Sequence, residues 1–237
     1  MVEQIVKKVK GFGLDLEEMV KAGLHFGHRK SKLHPRMKPY IFGIRKTVHI
    51  IDLEETAKKL AEALEFIQGM LKEKKTILFV GTKVQHQGLI KELAEKYKFP
   101  YVSERWLGGS LTNFDIMRKR VAYFQELRDK VNSEEFAKYG KKEQSMLKRE
   151  LRNLTTKFAG VESLEKLPDA LFIFDIRKDN LALREAKRMG IPVVAVVDTN
   201  VDPSQVDWPI PASDDGTKAA EYILGKVDEA MEKTKSQ

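Results

Sequence analysis

The sequence predicts an α/β fold: a mostly parallel sheet with helices on both faces, interrupted by an inserted helical hairpin. Three observations carry this. Short apolar runs alternate with amphipathic stretches in both halves of the 237 residues, the rhythm of a parallel sheet linked by helices. The runs are apolar at nearly every position, as strands covered on both faces require. Between residues 111 and 158 there is neither a strand signal nor a proline, only helical periodicity.

The elements follow in order. Gly11-Phe12-Gly13 has no strand before it and no third glycine, so it reads as a flexible lead-in to the first helix rather than a dinucleotide loop. Residues 48–52 (VHIID) form a short apolar run ending on Asp52, at a helix start. Residues 53–71 place Leu53, Ala57, Leu60, Leu64, Ile67 and Leu71 on one helical face. Residues 76–80 (TILFV) are a buried strand closed by Gly81, followed by a helix at 85–97 and a strand opening at 100–102. The second half repeats this with a strand at 170–175 (ALFIFD), a helix at 181–189 and a turn at Gly190-Ile191-Pro192. A strand at 193–198 (VVAVVD), a polar loop through Asp202-Pro203 and a last helix from about 215 to 232 complete the chain.

Leu147, Leu151, Leu154, Phe158 and Val161 fall at spacings of four, three, four and three, the seam of a coiled coil. Phe114, Met117, Val121, Phe124, Leu127 and Val131 make a looser stripe before them. The expected organisation is an N-terminal extension (1–14), a core (15–110 with 159–237) and an antiparallel coiled-coil hairpin (111–158). Helices packed flat on the sheet are the alternative. Between residues 115 and 157 there are twelve Lys/Arg and seven Asp/Glu. Gly108 and Gly109 supply a hinge at the hairpin root, Ser110 or Thr112 a cap for its first helix, and Arg105-Trp106 a cation beside a flat ring.

Charge is distributed unevenly. From residue 19 to 51 there is no Asp or Glu, while Lys21, Arg29, Lys30, Lys32, Arg36, Lys38, Arg45 and Lys46 lie there with four of the five histidines. These eight cations equal the formal net charge of +8, so the rest of the chain balances. Such a segment suits a polyanion, because each phosphate contact releases condensed counterions. With no cysteine, disulfides and thiolate chemistry are excluded, which fits a cytoplasmic protein. No apolar run is long enough for a membrane span, and the N-terminus does not read as a signal peptide.

Two candidate sites compete with the polyanion reading. Val80-Gly81-Thr82-Lys83 sits between strand and helix, where α/β enzymes hold phosphate, but lacks the glycines of a phosphate loop. An enzyme acting on a phosphorylated small molecule is therefore the alternative. His25 and His28, three apart with His34 nearby, could bind a metal on one helix face, completed by Asp198, Asp202, Asp214 or Asp215; protonatable, phosphate-facing or core histidines are the alternative.

Residues 22–28 (AGLHFGH) and 35–43 (PRMKPYIFG) resemble the opening of the small ribosomal subunit protein two family. Residues 77–83, 105–114 (RWLGGSLTNF), 167–170, 191–193, 197–200 (VDTN) and Ile210-Pro211 with Asp214-Asp215 match that family in order. The resemblance runs from residue 16 to about 225, and its WLGG-x-LTN form is similar to the bacterial and organellar branch. It implies a flavodoxin-like three-layer domain carrying the hairpin, and a non-catalytic protein on the solvent side of the small subunit near the head–body junction. It further implies contact with ribosomal RNA, neighbouring small-subunit proteins as partners, and recruitment of the subunit's large messenger-binding first protein. Some members are described with a metal near the positions matching Asp198 and Asp214, so the resemblance adds a structural zinc or magnesium with His28, Asp198 and Asp214 as candidate ligands. The expected RNA-binding set is Arg29, Lys30, Lys32, Arg36, Lys38, Arg45, Lys46 and Arg105.

Overall fold

A computed structural model describes residues 11–235. Residues 1–10 of the expected extension lie outside this range, while Phe12 and Leu14 pack into the first core cluster. Asp15 caps α1 (Leu16–Ala22) by accepting the Glu17 N–H, and Gly23 ends it at φ +79°. Then β1 (Phe26–Arg29), β2 (Ile41–Arg45) and β3 (Val48–Ile51) form a small antiparallel sheet in the order β1-β3-β2. Asp52 caps α2 (Leu53–Lys72) through the Glu54 N–H at 2.9 Å, as its place after an apolar run suggests.

The body is a five-stranded parallel sheet. Its strands are β4 (Ile77–Val80), β5 (Tyr101–Val102), β6 (Ala170–Ile173), β7 (Val193–Val197) and β8 (Trp208–Pro211), in the order β5-β4-β6-β7-β8. The helices are α3 (Val84–Tyr97), α4 (Phe114–Asn132), α5 (Lys141–Phe158), α6 (Asn180–Met189) and α7 (Thr217–Lys235). Strand side chains alternate between two faces, and the core divides accordingly. Phe79, Phe172 and Val194 share one buried cluster with Leu60, Leu64, Ile67, Ile90, Ile223 and Val227 of α2, α3 and α7. Leu78, Val80, Leu171 and Ile173 share the other with Ala182, Leu183 and Ala186 of α6. This is the three-layer architecture expected from the sequence.

The second cluster also contains Met117, Val121 and Phe124 of α4. The first half of α4 therefore shares the body's core, and Leu127 is buried as well. Within α5 only Phe158 is buried; Leu147, Leu151 and Leu154 are half-exposed. The two helices meet side by side, with Tyr123 Oη donating to Glu150 at 2.9 Å. Among the described residues no helix is long and apolar enough to cross a membrane.

Three strands went unanticipated. β1 and β2 are largely exposed and each is irregular in register, between Phe26 and Arg29 and between Ile41 and Gly43, so no clean alternation marks them. β8 carries Pro209 and Pro211. It is an edge strand, where a residue without an N–H can face away from the ladder.

Candidate nucleic-acid interface and the acidic cluster behind it

The small sheet gathers the predicted cations. Arg29 and Arg45 are both in register with Val48 of β3, one from each side. Lys46 and Thr47 form the β2–β3 turn with φ of +47° and +70°, the left-handed pair of a tight hairpin, and the Lys30 N–H donates to the Thr47 carbonyl at 2.8 Å. Lys30 and Lys32 occupy one short 3-10 turn, Arg36 and Lys38 another, and all seven side chains are exposed. Arg36 differs from the rest, because its guanidinium is 2.8 Å from Asp202 and also donates to Ser204. The other six have no ion-pair partner among the described residues.

Thr199, just beyond β7 and fully buried, fastens this sheet to the body. Its hydroxyl accepts the His28 N–H at 2.9 Å and its carbonyl the His34 N–H at 2.8 Å. A Cβ on Gly27 would lie 2.4 Å from the Thr199 methyl, so only glycine permits this approach.

Behind the attachment lies a charged cluster. His28 Nδ1 is 3.0 Å from Asp198, and Nε2 is 3.7 Å from Asp215. Donor atoms of His28, Asp198, Asp214 and Asp215 all fall within 4.8 Å of one another. The Lys83 ammonium is 2.8 Å from each of Asp175, Asp214 and Asp215. The bond to Asp198 outweighs burial and lifts the His28 pKa. Burial, with the Asp175 and Asp198 carboxylates, raises Asp214 to about 7 against the pull of Lys83. Burial opposes the charge on Lys83, but its three carboxylate partners hold its pKa above the ordinary lysine range.

Of the ligands considered from sequence, His28, Asp198, Asp214 and Asp215 come together, whereas His25, His34 and Asp202 do not join them. His25 packs on Phe26, His34 caps the turn holding Arg36, and Asp202 pairs with Arg36. The expected helix face is absent too: His25 precedes β1 and His28 lies within it.

The phosphate position of the enzyme alternative is taken by the chain itself. The order of strands reverses between β4 and β6, where open α/β sheets bind ligands. There the Thr82 N–H and hydroxyl donate to Asp179 at 3.2 and 2.7 Å, and Lys83 is held in the acidic cluster. A Cβ on Gly81 would meet Ile90 at 2.9 Å, so this glycine serves helix packing rather than phosphate approach.

At the hairpin root the organising residue is Glu185 of α6, which the sequence did not single out. Its buried carboxylate accepts from Trp106 Nε1, the N–H groups of Gly109, Leu111 and Thr112, and the Thr112 hydroxyl, at 2.8–3.1 Å. Burial pushes the Glu185 pKa up, but these bonds together hold it below the ordinary value. Gly109 takes φ +91° in this loop, and Gly108 faces Leu181. Neither Ser110 nor Thr112 caps α4. Ser110 donates to the Leu107 carbonyl, Thr112 serves Glu185, and Asn113 holds the cap position without a side-chain bond. Trp106 is buried, so its ring offers no stacking surface beside the exposed Arg105.

The molecule is thus a three-layer α/β body in which the residues at the strand switch point are engaged by the chain's own carboxylates. The family described as Ribosomal protein S2 matches residues 19–234. Small ribosomal subunit protein uS2 of Dictyoglomus thermophilum is 44% identical over 216 residues, covering 91% of this chain and 88% of that one. The uS2 of Coprothermobacter proteolyticus is 44% identical over 91% of this chain and 81% of its own. That of Petrotoga mobilis is 42% identical over 92% and 76%. The chain belongs to the ribosomal protein S2 family, a structural, non-enzymatic component of the small ribosomal subunit acting in translation.

Proposed function

We propose that the chain binds ribosomal RNA through the small antiparallel sheet and its turns, near the head–body junction of cytoplasmic ribosomes. The observation that carries this is the set of six exposed, unpaired cations on an acid-free stretch, four of them (Arg29, Lys30, Arg45, Lys46) gathered around one hairpin turn. Phosphate contacts of this kind fix orientation, and the shape of the folded RNA supplies specificity. Replacing those four with Ala lowers the salt dependence of rRNA binding by roughly one logarithmic unit per lost contact. A quadruple variant with the unaltered salt slope sinks the reading.

The same sheet supports the partner reading. Phe42 is 79% exposed, with Phe26 and Ile44 about half exposed. Phe42 borders a mostly apolar cleft of about 420 Å³ with Leu16, Val20, Ile50 and Leu53, edged by His25, Asp52 and Glu54. Exposed apolar surface of this kind marks a protein contact, and we assign it to the large messenger-binding first protein. A divalent cation fits the donor chemistry of His28, Asp198, Asp214 and Asp215. Bound there, it would act as a structural cross-link between the small sheet and the body, sharing carboxylates with Lys83.

A further inference from the structure

Residues 177–189 hold five cations, Arg177, Lys178, Arg184, Lys187 and Arg188, and two acids, Asp179 and Glu185. Along the chain this is an ordinary mixed surface. The fold separates the charges. Both acids are buried: Asp179 is taken by Thr82 and Glu185 by the loop at residues 106–112. All five cations are exposed. Arg177, Arg184, Lys187 and Arg188 have no ion-pair partner among the described residues, while Lys178 donates to the Thr82 carbonyl. At 3.6 residues per turn, Arg184, Lys187 and Arg188 lie on one side of α6, away from the buried Ala182, Leu183 and Ala186. The exposed Arg105 precedes the loop whose Gly108 faces Leu181 of α6.

We infer that the outer side of α6 is a second RNA-binding face, taking backbone phosphates of folded ribosomal RNA through Arg184, Lys187 and Arg188, with Arg177 and Arg105 at its margin. This rests on the reading that the chain binds ribosomal RNA, and extends the contact to a different layer of the fold. A surface whose exposed charges on the helix are all positive gains from each phosphate by counterion release. Protein contacts centre on an aromatic or aliphatic anchor seated in a pocket. Between Arg184 and Arg188 the exposed positions are cations only, and the exposed Leu181 and Met189 lie towards the two ends of α6.

The test uses the full chain and full-length bacterial small-subunit rRNA, with affinity measured from about 50 to 200 mM KCl, a range over which phosphate contacts show plainly. The triple variant Arg184→Ala, Lys187→Ala, Arg188→Ala keeps a strong helix former at every site, and an unchanged melting temperature confirms its fold. Its salt slope is expected to fall by roughly two to three units, with affinity at the lowest salt reduced at least tenfold. The charge-keeping triple Arg184→Lys, Lys187→Arg, Arg188→Lys retains the original slope. If the Ala triple keeps the original slope while the Arg29/Lys30/Arg45/Lys46 variant loses its own, this face is not an RNA contact and the ribbon reading stands. Unchanged rRNA binding with weakened association to assembled subunits would assign the face to an acidic protein, against the proposal. If the unaltered chain does not bind the rRNA at all, both readings fall together.

Discussion

The two sheets are built on opposite terms. In the parallel sheet every residue of β4, β6 and β7 is buried, and helices close both faces. In the antiparallel sheet only His49 and Ile51 are buried, while Phe26, Phe42, Ile44 and the cations face outward. The first sheet generates the hydrophobic stabilisation of the domain. The second cannot generate its own, because a ribbon with so little covered surface is marginal alone. It is held from outside, by the Thr199 hydroxyl and carbonyl, which accept the His28 and His34 N–H groups, and by the close approach at Gly27. Stability and contact surface are thus divided between two sheets.

The sharpest way to break the comparison is to damage each sheet at its own support. Phe172→Ala is expected to cost about 4 kcal/mol, lowering hydrogen-exchange protection across both sheets together. Thr199→Val removes the hydroxyl that accepts the His28 N–H and is expected to cost about 1–2 kcal/mol. Its loss of protection concentrates in residues 26–51 and leaves β4, β6 and β7 protected. A uniform loss in the Thr199 variant would show that the two sheets unfold as one.

The hairpin root extends the comparison, since it too is held by a buried group from the body. Glu185→Gln turns a carboxylate that accepts five bonds into an amide whose NH₂ meets donors, at a cost of about 3 kcal/mol. Because the folded pKa is lowered from its ordinary 4.5, this stabilisation is fully present above that value. It fades as pH falls through the lowered folded value. The stability gap between the two proteins, measured by urea unfolding, should be constant at neutral pH and narrow only below 4.5. A gap independent of pH down to full protonation contradicts the role of the charge.

The smallest effect sharpens the ribbon itself. Lys46 and Thr47 sit at positive φ, strained for a lysine and worse for a β-branched threonine. Lys46→Asn with Thr47→Gly is expected to stabilise the hairpin by about 1 kcal/mol, slowing exchange at Arg45 and Val48. It should also lower rRNA affinity modestly, since Lys46 is one of the proposed contacts. Unchanged exchange there would mean that the turn is not the ribbon's weak point.

Legibility followed the same division. The body was readable because β4, β6 and β7 are unbroken apolar runs, and because α2 and α6 repeat their apolar faces at helical spacing. The ribbon was readable as charge but not as structure: its turn is Lys46-Thr47 rather than Asn-Gly, and its strands are bulged and exposed. The cations of the candidate site could be named from composition alone. The residues that fasten the small sheet and the loops around the body could not, because each acts across a long interval of chain. Thr199 meets His28 at a separation of 171 residues, Asp179 meets Thr82 at 97, and Glu185 reaches the hairpin root at 73 to 79. No local pattern marks such pairs. The alternation of Trp208-Pro209-Ile210-Pro211 likewise hid β8, since two prolines argue against a strand unless it is known to lie at an edge.

Glu185 and Thr199 also bear on the order in which the molecule can be completed as it is made. A chain emerges from its N-terminus, so the ribbon at residues 26–51 and the loop at 106–112 are both synthesised well before the groups that hold them. Neither can be set until Glu185 of α6 and Thr199 beyond β7 have emerged. The most cationic part of the newborn chain therefore emerges without its anchor, and becomes a fixed surface only once Thr199, 171 residues beyond His28, has followed it.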